Sequence, residues 1–135
     1  MDAAERAAEY HNKGFNCAQS VFAALGEYTK WDESQALAVA TGFGGGVRSG
    51  EICGAISGAV MALGVMFPHL KENDAEGKEQ TAKPAVRCVS ECRKRLGAVT
   101  CRELIAREGK GSCERWIREC AEAAEEIIKE TKENV

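Results

Sequence analysis

Apolar residues recur along most of this chain at intervals of three and four, the repeat of a helix that buries one face. Strict alternation, the mark of a half-buried strand, never lasts more than a few residues. A first helical segment, Asp2 to His11, is rich in Ala and Glu and breaks at Lys13-Gly14. Asn16 opens a second that runs to about Tyr28, with Gln19 three residues on as in a capping box and Val21, Phe22 and Leu25 on one face. Asp32 and Gln35 repeat the signal for a helix over about Glu33 to Thr41.

The stretch GFGGGVRSGE, Gly42 to Glu51, is the most glycine-dense of the chain and reads as a loop with unusual backbone angles or close backbone contacts. A central helix follows, about Glu51 to Met66, stopped by Pro68. It carries Gly54, Gly58 and Ala62 on one stripe, so another helix should press close to that face, from this chain or a second copy. His69 to Lys83 is polar and reads as a surface linker with at most one helical turn; Pro84 then suits the first position of a helix ending near Gly97. Thr100 and Glu103 form another capping box, for a short helix to about Glu108. Gly109 and Gly111 flank a turn, and Ser112 is placed to cap the last helix, which runs to about Thr131. The expected fold is all-α, a compact bundle of about six to seven helices with a Gly-rich loop before the central helix, in a single domain over residues 1–135.

A net charge of −3 offers no basic footprint, so no nucleic-acid partner is expected. The first residues lack the apolar core of a secretory signal, and the stretch from Ile52 to Pro68 is too short and too interrupted by glycine to span a membrane. The expected compartment is the cytoplasm. Glu125, Glu126, Glu130 and Glu133 alternate with Lys129 and Lys132 in a solvated face, with no carboxylate dyad in view.

The abnormal feature is the presence of seven cysteines. In a reducing compartment that enrichment points to metal binding or redox chemistry. Cys17 follows the cap Asn16, Cys101 the cap Thr100 and Cys113 the cap Ser112, while Cys53 falls in the first turn after Ser49-Gly50. Helix starts present unpaired N–H groups and the positive end of the macrodipole, and both favour the thiolate that attacks disulfides or binds metal. Cys88, Cys92 and Cys120 lie inside helix patterns and read as core, although Cys88 and Cys92 share a face and remain open as a metal or redox pair. There is no CxxC and no CxxCH, which sets aside the thioredoxin motif, the zinc knuckle and covalent haem; His11 and His69 read as surface residues.

Gly42, Gly44, Gly45 and Gly46 with Arg48 resemble an anion nest, but they match neither GxGxxG nor the Walker pattern, so no nucleotide is expected. The preferred reading is that the loop brings backbone N–H groups to the Cys53 sulfur or to a cluster sulfide. On that reading Gly44, Gly45, Gly46 and Gly54 are the cofactor-contact candidates.

The order NCAQSV (Asn16 to Val21), GFGGG (Gly42 to Gly46), CGAISG (Cys53 to Gly58), CRELI (Cys101 to Ile105) and a final Cys113 resembles the C_GCAxxG_C_C family of small redox-active proteins. The likeness spans about Gly14 to Cys113. Its four characteristic cysteines fall on Cys17, Cys53, Cys101 and Cys113, with CGA in this chain where the family name writes GCA. The family is also similar to the non-haem helical part of split-Soret cytochrome c, a dimer with haems and an iron–sulfur cluster. The resemblance therefore implies a redox role for these four cysteines, or their use as cluster ligands, most simply for a 2Fe–2S cluster. It also implies a redox partner and modestly favours a homodimer. The alternatives are a metal-free thiol–disulfide oxidoreductase and a non-enzymatic metal-binding accessory protein beside a transporter or redox partner.

Overall fold

The computed structural model describes residues 1–133; Asn134 and Val135, at the end of the expected 1–135 domain, lie outside the described residues, as does the side chain of Glu133. The described residues form eight α-helices: α1 (Ala3–Asn12), α2 (Cys17–Ala24), α3 (Gly26–Thr29), α4 (Glu33–Ala40), α5 (Gly54–Met66), α6 (Ala75–Leu96), α7 (Cys101–Glu108) and α8 (Cys113–Glu133). Among them β structure is limited to one isolated antiparallel bridge, Ile52 with Thr100. The fold is all-α, as the periodicity predicts. No helix among the described residues is long and apolar enough to cross a membrane.

The caps explain where most helices begin. Asp2, Asn16, Asp32 and Thr100 each accept the backbone N–H three residues on, and Asn16 with Gln19 closes the full capping box. Four boundaries differ from expectation, one of them the start of α5, which falls at Gly54 rather than about Glu51. The helix foreseen from Asn16 to Tyr28 stops at Ala24, and a single turn, α3, follows and ends at Lys30 in the left-handed conformation.

The linker foreseen from His69 to Lys83 is largely helix, so Pro84 lies inside α6 rather than at its first position. Proline removes one ladder bond and crowds the preceding turn. The helix nevertheless starts well before Pro84, where Asp74 caps it at Gly77 N, and the Thr81 hydroxyl ties the following turn to the Phe67 carbonyl. Ser112 is also not a side-chain cap. A 3₁₀ turn over Lys110–Ser112 runs straight into α8, and the serine hydroxyl donates back to the Glu108 carbonyl at 3.4 Å.

Helices α2 and α5 cross at the centre, surrounded by α1, α4, α6 and α8. The stripe on α5 is what allows it. A Cβ on Gly58 would lie 2.7 Å from the Ala18 carbonyl oxygen, so the expected close neighbour is α2 of the same chain. Phe22, Leu25, Ile56, Leu63, Ile117, Ile128 and Trp116 fill the space around the crossing. Glu125 is buried rather than on the expected solvated face, because α8 turns it inward to tie down α1 and α3: it accepts from Ala3 N at 3.4 Å and Tyr28 Oη at 2.8 Å, with Arg6 at 3.8 Å.

Arg95 of α6 clips that helix to α8. Its guanidinium reaches Glu91, Glu119, Glu122 and Glu126 at 2.9–3.3 Å. Replacing it with methionine keeps the stem but leaves four carboxylates to repel one another. Because those carboxylates are partly solvated, we expect a loss of about 1–2 kcal/mol, larger at low salt than at high salt. Thermal melts at two ionic strengths read this directly; equal losses at both would argue against it.

Candidate functional site

The four helix-start cysteines lie far apart in sequence, and three local devices bring them together. The first is the bridge. Cys53 N donates to Val99 O at 2.8 Å and Cys101 N to Glu51 O at 2.6 Å, which sets the starts of α5 and α7 side by side. The second is Gly54, where an added Cβ would stand 3.2 Å from Cys17 Cβ and 3.1 Å from Ala18 N, so the first turn of α5 rests on the first turn of α2. The third is the start of α8, where Cys113 faces Cys17 and accepts its thiol proton as a hydrogen bond.

The sulfurs interact as a group. Cys113, Cys53 and Cys101 all act on Cys17, and Cys113 and Cys101 act on Cys53. Cys53 is buried, whereas Cys17, Cys101 and Cys113 are partly exposed. Cys53 stands at the N-cap of α5 rather than inside its first turn.

Capping physics favours a thiolate at each of these positions, but only Cys113 is lowered. The Cys17 donor, helped by Lys110 and the Cys113 N–H, outweighs burial and brings Cys113 to about 7. Cys17 is raised because it keeps the proton of that hydrogen bond and is partly desolvated. Burial pushes Cys53 up to about 11. The N–H groups of Ala55 and Ile56 pull it down, from positions too loose for a cap hydrogen bond. Cys101 is raised by burial and by Cys113, with Lys110 opposing. Desolvation and mutual repulsion among the thiols thus exceed the helix-end effect at three of the four sites.

Three of the four candidate glycines are closely packed, while a Cβ added at Gly45 meets nothing within 4 Å. Gly44 lies on the Asn16 side chain that caps α2, Gly46 lies on the Glu51 backbone, and Gly54 lies on Cys17. Gly45 and Gly46 begin a short left-handed turn that continues through Val47 (φ 59°) and Arg48 (φ 57°). Left-handed backbone costs a side-chain-bearing residue roughly 1–2 kcal/mol. Arg102 steadies the turn by donating to Ser49 O at 3.0 Å, and Arg48 donates to Thr41 O at 3.1 Å.

Cys88, Cys92 and Cys120 are fully buried between α6 and α8, with Cys92 hydrogen-bonded to both of the others. Sequence reasoning paired Cys88 with Cys92 and set Cys120 aside. Its place four residues after Trp116 and seven after Cys113, on one face of α8, was the available signal. Cys53 and Cys17 in turn act on Cys120, so the two groups of thiols are neighbours. His69 is exposed and His11 ends α1 at the surface.

Four thiols are the donor chemistry of an iron–sulfur cluster, and in that respect the set fits one. Trp116 adds to the fit: it lies one turn beyond Cys113, is buried, and its indole N–H has no acceptor among the described residues. No three His, Cys, Asp or Glu donors among the described residues close around a point that holds a single metal ion.

The fold and site define an all-α protein with four cysteines at or beside helix starts that lie near enough to act on one another. Over residues 15–127 the chain matches the model of the C_GCAxxG_C_C family, described as "Putative redox-active protein", and it belongs to that family. No curated protein and no solved structure matches it.

Proposed function

We propose that this protein is a thiol–disulfide redox protein whose working dithiol is Cys113 with Cys17. The observation that carries the reading is the hydrogen bond between them, which leaves Cys113 as the low-pKa sulfur and Cys17 as its protonated partner. The Cys113 thiolate attacks one sulfur of an oxidised disulfide RSSR, and one RS⁻ leaves and takes up a proton. Cys17 then loses its proton and attacks the Cys113 sulfur, which releases the second thiol and closes a Cys17–Cys113 disulfide. Two electrons pass from the protein to RSSR; of the two protons in the product thiols, one comes from Cys17 and the other from solvent. A redox partner of the opposite sense recycles the dithiol, and a reducing cytoplasm suits the resting state. The test is equilibration in oxidised and reduced dithiothreitol followed by disulfide mapping. A reversible Cys17–Cys113 bond is the expected product; a Cys113 that stays free across the whole range refutes the reading.

A second reading is favoured by the orphaned Trp116 N–H and the four-thiol donor set: Cys17, Cys53, Cys101 and Cys113 hold a 2Fe–2S cluster. The cluster would supply one-electron transfer. Trp116 would offer its N–H to a sulfur, and Ala55 and Ile56 theirs to Cys53. Anaerobic expression with iron and sulfide should then give a coloured protein whose reduction potential falls in Trp116→Phe, since N–H donors to sulfur raise it. Colourless, iron-free protein under those conditions excludes the reading.

A further inference from the structure

A groove of about 530 Å³ runs between the left-handed turn and α7, and Cys101 lines it. Arg48, Arg102 and Lys110 stand around the same groove, with the alkyl surface of Ile105 and Ala106 as its apolar wall. No carboxylate is among the lining residues, although Glu51 lies 3.8 Å from Arg102 in an exposed pair. In a chain of net charge −3, three cations gathered around one thiol make a local field opposite to that of the whole molecule. Neither Cys113 nor Cys17 lines the groove, but Lys110, which does, begins the short turn that runs directly into α8 at Cys113, and it acts on both the Cys101 and the Cys113 sulfur. The turn that carries Arg48 is held left-handed at Val47 and Arg48 despite its cost, which keeps this cation at the rim.

We propose that this groove is the substrate site of the thiol chemistry, and that it selects small disulfides bearing carboxylate groups. The inference rests on the dithiol reading and adds the substrate class. Arg102 and Arg48 bind the carboxylates, the apolar wall takes the carbon chain, and Lys110 holds the charge of the leaving thiolate. The bonds broken and formed are those of the exchange at Cys113 and Cys17 described above, with one RSSR reduced to two RSH.

The test uses the full reduced chain and two disulfide probes, the dianionic dithiodiglycolic acid and the dicationic cystamine. Within one protein their rate ratio cancels any change in thiolate fraction. We expect the dianion to react at least about tenfold faster at low salt, and the gap to close as salt is added. In Arg48→Gln combined with Arg102→Gln, the ratio should fall several-fold. A ratio near one in the parent protein, or one unchanged in the double variant, overturns the proposal. A second readout needs no disulfide exchange: the ratio of iodoacetate to iodoacetamide labelling at Cys101, by mass spectrometry, should fall in the same double variant. Anion preference in labelling without exchange at Cys113 refutes the dithiol reading and leaves an anion-selective groove; no preference in labelling refutes the groove itself.

Discussion

Alkylation of the reduced protein with iodoacetamide, followed residue by residue, should show one thiol titrating with a midpoint near pH 7, and that thiol should be Cys113. Serine at this position removes the phase entirely. At pH 7 a thiol of that pKa is about half ionised, against roughly 1% for one near 9, a gain of about fiftyfold that lower basicity cuts to several-fold. Against Cys53, held up at about 11, the advantage is larger. Because the lowering comes first from the Cys17 donor, Cys17→Ala should move the Cys113 midpoint upward by about one unit, whereas Cys17→Ser, which keeps a donor, should move it less. A midpoint that ignores Cys17 would mean that Lys110 or the backbone sets the pKa instead.

The sign of the linkage follows from the same pair. Cys113 is lowered in the folded state, so its contribution to stability is present above the ordinary thiol value and is lost as pH falls through about 7. Tyr10 runs the opposite way. Burial and its hydrogen bond to Glu33 raise it to about 12, so its contribution is complete below the ordinary tyrosine value near 10 and is lost as pH rises through about 12. Urea melts should therefore weaken at both ends of that range, and Cys113→Ser should remove only the acid-side component.

Local signals in this chain are short and chemical, and those were legible. Asn16, Asp32 and Thr100 carry side-chain acceptors that decide a helix start without help from the rest of the fold, and each does so. Pro84 misleads because its preference for a first turn is a local tendency, whereas Asp74 and the contact from Thr81 to Phe67 are supplied from outside that window. Ser112 misleads because the 3₁₀ turn before α8 directs its hydroxyl backward to Glu108.

The candidate site divides in the same way. That Cys17, Cys101 and Cys113 begin helices could be read from their neighbours, but that the four sulfurs lie near enough to act on one another could not. Their proximity depends on the Ile52–Thr100 bridge and on contacts across α2 and α5. Nor could capping physics foresee which thiol would ionise, since burial and proton sharing with Cys17 are properties of the assembled group.

The crossing of α2 and α5 gives the largest expected effect on stability, and one substitution at two positions of α5 should have opposite signs. An added Cβ on Gly64 meets nothing within 4 Å, so Gly64→Ala should raise stability by about 0.5–1 kcal/mol through helix propensity alone. At Gly58 the same methyl would stand 2.7 Å from Ala18 O and 3.2 Å from Phe22 N. Both are backbone atoms that cannot rotate away, so α2 and α5 must separate. Gly58→Ala should cost about 1–3 kcal/mol despite its better propensity, and Gly58→Val about 3 kcal/mol or more. Thermal denaturation followed by circular dichroism distinguishes these outcomes, and a Gly58→Ala protein that melts at or above the parent would refute the close crossing. The separation should also reach the chemistry. Gly54, one turn before Gly58, seats α5 on Cys17, so prying the helices apart loosens the hold on Cys17 and should raise the Cys113 midpoint at temperatures where Gly58→Ala is still folded. Gly64→Ala should leave that midpoint where it is. A shift in the first variant and none in the second would tie the packing of α2 on α5 to the ionisation of Cys113.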